Sequence, residues 1–471
     1  MITDLKELKQ RPWYHLYPEE IRRQMESYVF PEIPSFRILE SSALYYPKAT
    51  ALVYEPENLI LTYLDLCRLS EQFASGLQNK LKIDKGDRVA LYARNYPEFL
   101  IALFGIAMAG AVYVACNPLL TAEEVAYQIK DSGARAAITS DDLLPVLLRI
   151  LEGGCTSLEK IIGFVRDQEL KPDFLKNELK QSNGRVVPFK SLLVGDLLSK
   201  PDISPITDLT AIMYTSGTTG YPKGVMISHY NVVASTLMYQ TAYTGKFPEM
   251  DGDGFFRCNT DPQNLKSDWE YPIRFGLDSV LAVPPWTHML AYLGQCHFPV
   301  MAAMTIFPLP LFKMEVMVEM IRKWRIAFAG GAPQMMAMLL SLGEAELDGL
   351  QPIRAWTTGG SPVPEALAER FSRVIDGVIT EGYSLTEATI SSTKHFCRRQ
   401  GPRKYGSIGI PLPFVDMKVV DVLTGTQETA PGQEGELIQK GPSVTLGYLN
   451  RPEDTKESFR DGWLFTGDLA V

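Results

Sequence analysis

Residues Tyr214–Val225 read YTSGTTGYPKGV, and the rest of the chain is best understood outward from them. Between Thr215 and Gly224 stand four hydroxyls (Thr215, Ser216, Thr218, Thr219), three glycines (Gly217, Gly220, Gly224) and one lysine, Lys223. Glycine lets backbone N–H groups turn toward an anion, hydroxyls add directed donors, and lysine brings a mobile positive charge. Together they make a phosphate cradle. The apolar run Leu209–Met213 (LTAIM) precedes the cradle and reads as a strand feeding a loop. A flexible Gly/Thr surface loop accounts for neither that strand nor a lysine set among glycines. The chain contains no GxxxxGK[ST] and no GxGxxG, which excludes a Walker loop and a dinucleotide fingerprint.

Upstream, helical and extended patterns alternate. Thr62–Lys80 repeats its apolar residues at helical spacing, and Asp87–Tyr92 (DRVALY) is a short strand. Phe99–Leu120 carries no charge and matches a membrane span in length. Gly105, Gly110 and Pro118 interrupt it, however, and Ala111–Cys116 (AVYVAC) has strand composition. The expectation is a buried helix, Glu98–Ala109, followed by a buried strand. Thr121 and Glu124 form a capping box opening a helix through Ser132, and Ala134–Thr139 is the next strand. Strands separated by helices of this length predict a mostly parallel sheet.

Residues 165–205 read as peripheral. A second α/β unit begins near Leu209. Residues 247–279 read as a long surface excursion without a period, and helical spacing returns in Met314–Trp324 and Pro333–Leu342. From Ser407 onward short extended pieces split by Gly and Pro predict a small antiparallel sheet or barrel.

The whole chain has 471 residues, 46% of them apolar and 21% charged, which excludes disorder. With 46 Lys+Arg against 55 Asp+Glu the net charge is −9, an unsuitable balance for general nucleic-acid binding. Six dispersed cysteines form no CxxC pair, so neither a disulfide framework nor a zinc site is indicated. Met1–Lys9 lacks the apolar core of a signal peptide, and a reducing, cytoplasmic setting is expected.

The cradle resembles the signature of the adenylate-forming superfamily: acyl-CoA synthetases, aryl-CoA ligases, beetle luciferases and peptide-synthetase adenylation domains. Other stretches resemble its motifs in the same order. They are Thr358–Pro362 (TGGSP), Glu381–Glu387 (EGYSLTE), Lys404–Pro413 (KYGSIGIPLP), Glu434–Tyr448 (EGELIQKGPSVTLGY) and Gly462–Asp468 (GWLFTGD). Val283–Ala291 (VPPWTHMLA) resembles the family's Pro-x-x-His segment. The resemblance runs from about Thr62 to Asp468.

It implies an α/β fold, the large N-terminal domain of such enzymes, with two mostly parallel sheets and a small antiparallel barrel. The divisions it suggests are 1–205, 206–400 with the phosphate loop and acyl pocket, and 401–471. The implied reaction joins a carboxylate to AMP with release of pyrophosphate, then transfers the acyl group to coenzyme A. The small-molecule partners are ATP, Mg²⁺, coenzyme A and a fatty or other hydrophobic acid, without nucleic acid or a transmembrane segment; homo-oligomerisation stays open.

In that reading Thr215, Ser216, Gly217, Thr218, Thr219, Gly220 and Lys223 face pyrophosphate. Gly359, Gly360, Ser361 and Pro362 flank adenine, and Glu381, Gly382 and Tyr383 complete the nucleotide site with Tyr383 stacked on the base. Thr386 reaches the α-phosphate, Glu387 holds Mg²⁺ and Asp468 takes the ribose hydroxyls. His288, Trp286, Met289 and Gly330 surround the acyl group. As catalytic residues the resemblance implies Lys223, Thr386, Glu387 and His288. His229 and His395 are expected to be ordinary residues.

Relatives carry a mobile C-terminal domain after the ribose aspartate, whereas this chain stops at Val471. If the protein ends there, it is expected to bind ATP but adenylate slowly and make little thioester; the favoured expectation is that this is a piece of a longer, ordinary ligase. Ser384-Leu385 replaces a common Gly-Met pair, and the 247–279 excursion is expected to shape or cover the acyl entrance. An aryl-CoA ligase, a carrier-protein-loading enzyme and a non-catalytic nucleotide binder are the alternatives.

Overall fold

The computed structural model describes residues 4–166, 182, 184–195, 200–215, 221–390 and 392–471. The expected phosphate-loop residues Ser216, Gly217, Thr218, Thr219 and Gly220 lie outside them. After a hairpin of β1 (Thr50–Tyr54) and β2 (Leu59–Thr62), Thr62 and Asp65 cap the helix Tyr63–Leu81 reciprocally. The strands that follow are β3 (Arg88–Tyr92), β4 (Val112–Ala115), β5 (Ala136–Ser140), β6 (Lys160–Phe164), β7 (Val186–Pro188), β8 (Leu209–Thr215) and β9 (Lys223–Ser228). They make a seven-stranded sheet in the order β7-β6-β5-β3-β4-β8-β9. Its pairs are parallel except β8–β9.

Two-residue strands β10 (Glu249–Met250) and β11 (Phe256–Arg257) form a hairpin. Next come β12 (Ser279–Ala282), β13 (Thr305–Pro308), β14 (Phe328–Gly330), β15 (Ala355–Thr358) and β16 (Val378–Glu381). These join β1 and β2 in a second seven-stranded sheet, β16-β15-β14-β12-β13-β1-β2. The expected barrel region holds β17 (Thr393–Lys394) paired with β18 (Ile410–Pro411). It also holds an antiparallel sheet of β19 (Asp416–Val420), β20 (Gly435–Lys440), β21 (Phe459–Arg460) and β22 (Trp463–Ala470), ordered β19-β20-β22-β21.

The charge-free run resolves into the helix Pro97–Met108, buried at every residue, and β4. Among the described residues no helix is long and apolar enough to cross a membrane. The capping box at Thr121 and Glu124 is formed and opens Ala122–Ser132.

Two expectations need correction. The sheets do not divide at residue 205. The apolar β8 pairs with the buried β4, Tyr113 opposite Ala211, so the stem of the expected phosphate loop belongs to the first sheet. Conversely β1 pairs with β13 and, with β2 outside it, joins the second sheet. Residues 247–279 are also no free excursion. Trp269, Tyr271, Ile273 and Phe275 are buried, and Asn264 Oδ1 accepts the N–H groups of Glu270 and Tyr271 at 3.2 and 3.0 Å. Guanidinium groups of Arg354 and Arg399 each stand 4.7 Å from the Trp269 ring.

Candidate active site

Parallel register brings the predicted motifs to one edge. Gly330 lies opposite Thr357, and Thr358 opposite Glu381, so β14, β15 and β16 end together beside β12. The segments that leave these ends contain His288, Gly331, Gly359–Pro362 and Gly382–Glu387. Ligands in open α/β sheets bind at such carboxyl ends, where the strand order turns back. Here the turning point is β12, which has β13 on one side and β14 on the other.

Gly330 belongs where it does for lack of space, because a Cβ there would meet the Thr357 carbonyl oxygen at 2.5 Å. Gly360 is needed for its backbone instead, with φ +81° in the turn after β15. Glu381 was expected to touch nucleotide, but its carboxylate is already committed. Oε1 accepts the Val363 N–H at 3.0 Å and Oε2 the Gly406 N–H at 3.2 Å. Burial raises its pKa while those two amides oppose the rise. Glu381 therefore positions the 359–362 turn.

The aromatic and carboxylate predicted for adenosine are in contact. Tyr383 donates its hydroxyl to Asp468 Oδ2 at 2.5 Å, and its N–H to Thr393 Oγ1 at 3.1 Å. Burial first, and then Asp468, hold the phenol well above its ordinary pKa. Asp468 is exposed near the end of β22, where Gly467 N–H bonds Glu436 Oε1 at 2.9 Å.

Thr386–Ala388 form one tight 3₁₀ turn, followed by Thr389 and Ile390 at φ 47° and 65°. Two successive β-branched residues in left-handed backbone are costly, and such strain persists only where the surroundings enforce it. The restraints are visible: Thr389 Oγ1 donates to the Ser443 carbonyl at 2.8 Å, and Thr445 N–H to the Glu387 carbonyl at 3.0 Å. The Tyr448 hydroxyl donates to Glu387 Oε1 at 2.9 Å. Lys223 Nζ stands 5.1 Å from the same tyrosine ring and 2.5 Å from Asp454 Oδ1. Tyr448 thus joins the expected phosphate lysine to the expected metal carboxylate.

Lys223 opens β9 and is the register partner of Thr215, so the 216–222 connection springs from these two residues. Tyr127 braces its returning arm, donating to the Pro222 carbonyl at 3.0 Å and stacking on Tyr221. Asp454 and Tyr127 gave no sequence signal. Tyr448 was inside a quoted motif without an assigned role.

Among the described residues no three His, Cys, Asp or Glu gather as a ready metal cage. A single half-buried carboxylate such as Glu387 suits Mg²⁺, which keeps much of its water and takes one or two carboxylates plus phosphate oxygens.

On the acyl side, Asn95 organises the segment after β12. Its Nδ2 donates to the carbonyls of Ala282 and Pro284 at 3.2 and 2.9 Å, and its Oδ1 accepts the Trp286 N–H at 2.9 Å. His288 follows as an exposed residue whose Nδ1 accepts the Leu290 N–H at 3.2 Å. In the neutral ring the proton then sits on Nε2. Desolvation lowers its pKa below the ordinary histidine value.

Trp286 is a core anchor packed edge-on against Phe99, and Met289 is buried; neither lines the adjoining cavity. That narrow space of ≈ 30 Å³ is bounded by Tyr239, Tyr243, Leu290, Phe298, Phe328 and Gly330. Tyr239 and Tyr243 come from the helix His229–Thr244, which sequence reading had not connected with the acyl group. The other two histidines named from sequence lie away from the acyl segment. His229 Nδ1 accepts the Ser35 N–H at 3.1 Å, and both His229 and His395 are buried.

The stem of the expected phosphate loop, a tyrosine–aspartate pair and a carboxylate turn thus gather at one strand edge, the order of motifs that adenylate-forming enzymes share. The chain belongs to the AMP-binding enzyme family, whose model matches residues 39–449, in its acyl-CoA synthetase branch. It is 30% identical to a long-chain-fatty-acid–CoA ligase of Bacillus subtilis (strain 168), across 98% of this chain and 78% of that protein. It is 29% identical to 4-coumarate–CoA ligase 4 of Arabidopsis thaliana, across 89% of this chain and 68% of that one. Among solved structures, the N-terminal domain of FACL13 from Mycobacterium tuberculosis matches with a TM-score of 0.74 and 26% identity. That match covers 93% of this chain and 96% of the other.

Proposed function

We propose that this protein activates a fatty or other hydrophobic carboxylic acid with ATP, releasing pyrophosphate, and passes the acyl group to coenzyme A. The observation that carries the reading is the chain of contacts Lys223–Tyr448–Glu387 beside the paired Tyr383 and Asp468. In this reading Asp468 accepts the ribose hydroxyls, Tyr383 covers the adenine, and the 359–362 turn lies on the base's other side. The substrate carboxylate attacks the α-phosphate, forming the acyl–phosphate bond as the bond to pyrophosphate breaks. Charge grows on the phosphate oxygens and the leaving pyrophosphate, where fixed donors act without reorganising. Thr386 donates on the α side, and Thr215 and Lys223 serve the pyrophosphate side together with the loop between them. Mg²⁺, held by Glu387, would supply charge neutralisation. His288 orients the acid's carboxylate through Nε2–H. Six free cysteines and an acidic chain accord with a reducing, cytoplasmic setting.

An aromatic acid is the second reading, favoured by the aromatic walls of a small cavity. Pyrophosphate release across straight-chain and aromatic acids, with and without coenzyme A, tests both. Acid-dependent release is the expected result, and the preferred acid separates them. Release independent of every acid, or no release, overturns the proposal.

A further inference from the structure

Beyond the edge strand β16 lies a second, larger cavity that the proposed activity does not use. It measures ≈ 640 Å³, between the helix Glu19–Met25 and residues 394–410. None of the residues assigned to nucleotide or acid lines it. Five cations do: Arg22, Lys394, Arg398, Arg403 and Lys404, with Glu19 as the lone acid among the described residues. This excess of positive charge stands in a chain of net charge −9.

Part of the cluster is already engaged. Arg398 bonds Glu270 at 2.6 Å, Arg403 donates to the Arg398 and Arg399 carbonyls, and the Lys394 ammonium lies toward the smaller cavity, 3.3 Å from Thr357 Oγ1 and over the Tyr239 and Tyr243 rings. Other groups are not satisfied within the chain. The Nε atoms of Arg22 and Arg403 are buried without a hydrogen-bond partner, and so is Nδ1 of His395, a residue only 7% exposed that lines the cavity. These atoms lie in the wall behind the cavity surface; the charge that faces the cavity comes from the cation excess, with Lys404 exposed at its rim. The local potential shows at His395, whose pKa is lowered to about 4 by burial, with Lys394 and Arg403 adding to the effect. Guanidinium forks match phosphate oxygens, and the volume falls within the range of roughly 300–1,000 Å³ typical of small-molecule sites.

We infer that this cavity is a second binding site, for a phosphate-bearing small molecule, separate from the nucleotide site. The assignment rests on the cation excess and volume of this cavity and not on the ligase reading. It has a structural connection to the nucleotide edge, since the Gly406 amide beside the rim is held by Glu381, which also holds Val363.

Calorimetric titration with inorganic pyrophosphate, without acid or turnover, tests it. Two classes of site are expected in the unaltered protein. Arg22→Gln with Arg403→Gln should weaken one class about tenfold, the scale of losing a hydrogen bond to a charged group. Thr386→Ala should leave that class in place. Lys404→Gln, on the exposed rim, should weaken the same class about threefold, so a folding defect in the double variant does not decide the matter. A single class in the unaltered protein overturns the assignment, as does a second class unmoved by Lys404→Gln and by a folded double variant. Capture on phosphatidic-acid vesicles without pyrophosphate binding also overturns it, in favour of a membrane contact.

Discussion

Replacing Tyr448 by Phe removes one oxygen and leaves the ring under Lys223. The lost contact is the 2.9 Å hydrogen bond to Glu387 Oε1, made by a side chain that is only 8% exposed. A hydrogen bond to a charged acceptor contributes about 1.5–3 kcal/mol. At about 1.4 kcal/mol per factor of ten, its loss should slow acid-dependent pyrophosphate release by roughly 10- to 100-fold. The ring's interaction with Lys223 at 5.1 Å survives in Phe, so Tyr448→Ala should cost more than Tyr448→Phe. Release rates at saturating acid, measured over a range of MgATP, provide the assay, with thermal melting as a check on folding. If Tyr448→Phe melts normally and turns over within twofold of the unaltered protein, Glu387 does not depend on this hydroxyl. The reasoning that links Lys223, Tyr448 and Glu387 then fails.

Glu381→Ala should strand the Val363 and Gly406 amides and loosen the 359–362 turn, at about 1–3 kcal/mol for each unsatisfied group. Its signature is lower melting with weaker ATP binding, while Glu381→Gln, which keeps one acceptor, should fall between. Gly330→Ala should press on the Thr357 carbonyl and affect the acid's KM more than ATP's; an unchanged KM for every acid would contradict the cavity assignment. Stability should fall on acidification, because burial lowers the pKa of His229 to about 3 and those of His297 and His395 to about 4. Below pH ~6.5 the unfolded chain binds protons that the fold refuses, costing up to about 1.4 kcal/mol per pH unit for each histidine. Urea denaturation at pH 7.5 and 5.5 measures this, and equal midpoints would refute it.

Sequence reading found the segments whose local chemistry carries them. The strand Leu209–Met213, the capping box at Thr121, and the TGGSP and EGYSLTE motifs describe segments whose backbone is set nearby. What it missed depends on contacts between distant segments. Trp286 resembled a pocket residue but is held by Asn95, 191 positions away, and by Phe99. Glu381 looked like a nucleotide ligand because its two amide partners belong to other loops. The sheet boundary also failed, since β1 finds its parallel partner only at β13. One miss was avoidable: Trp269, Tyr271, Ile273 and Phe275 alternate with polar or small residues, the period-two pattern of a half-buried extended segment.

The most direct test of the account is calorimetric binding of MgATP to the folded chain, with Glu387→Ala and Thr386→Ala beside it. One nucleotide per chain should bind, and both variants should bind more weakly. Both should also release pyrophosphate ~10²–10³-fold more slowly, the usual effect of removing one charge-stabilising group. Well-folded protein that takes up no MgATP would contradict the claim that this strand edge is a nucleotide site.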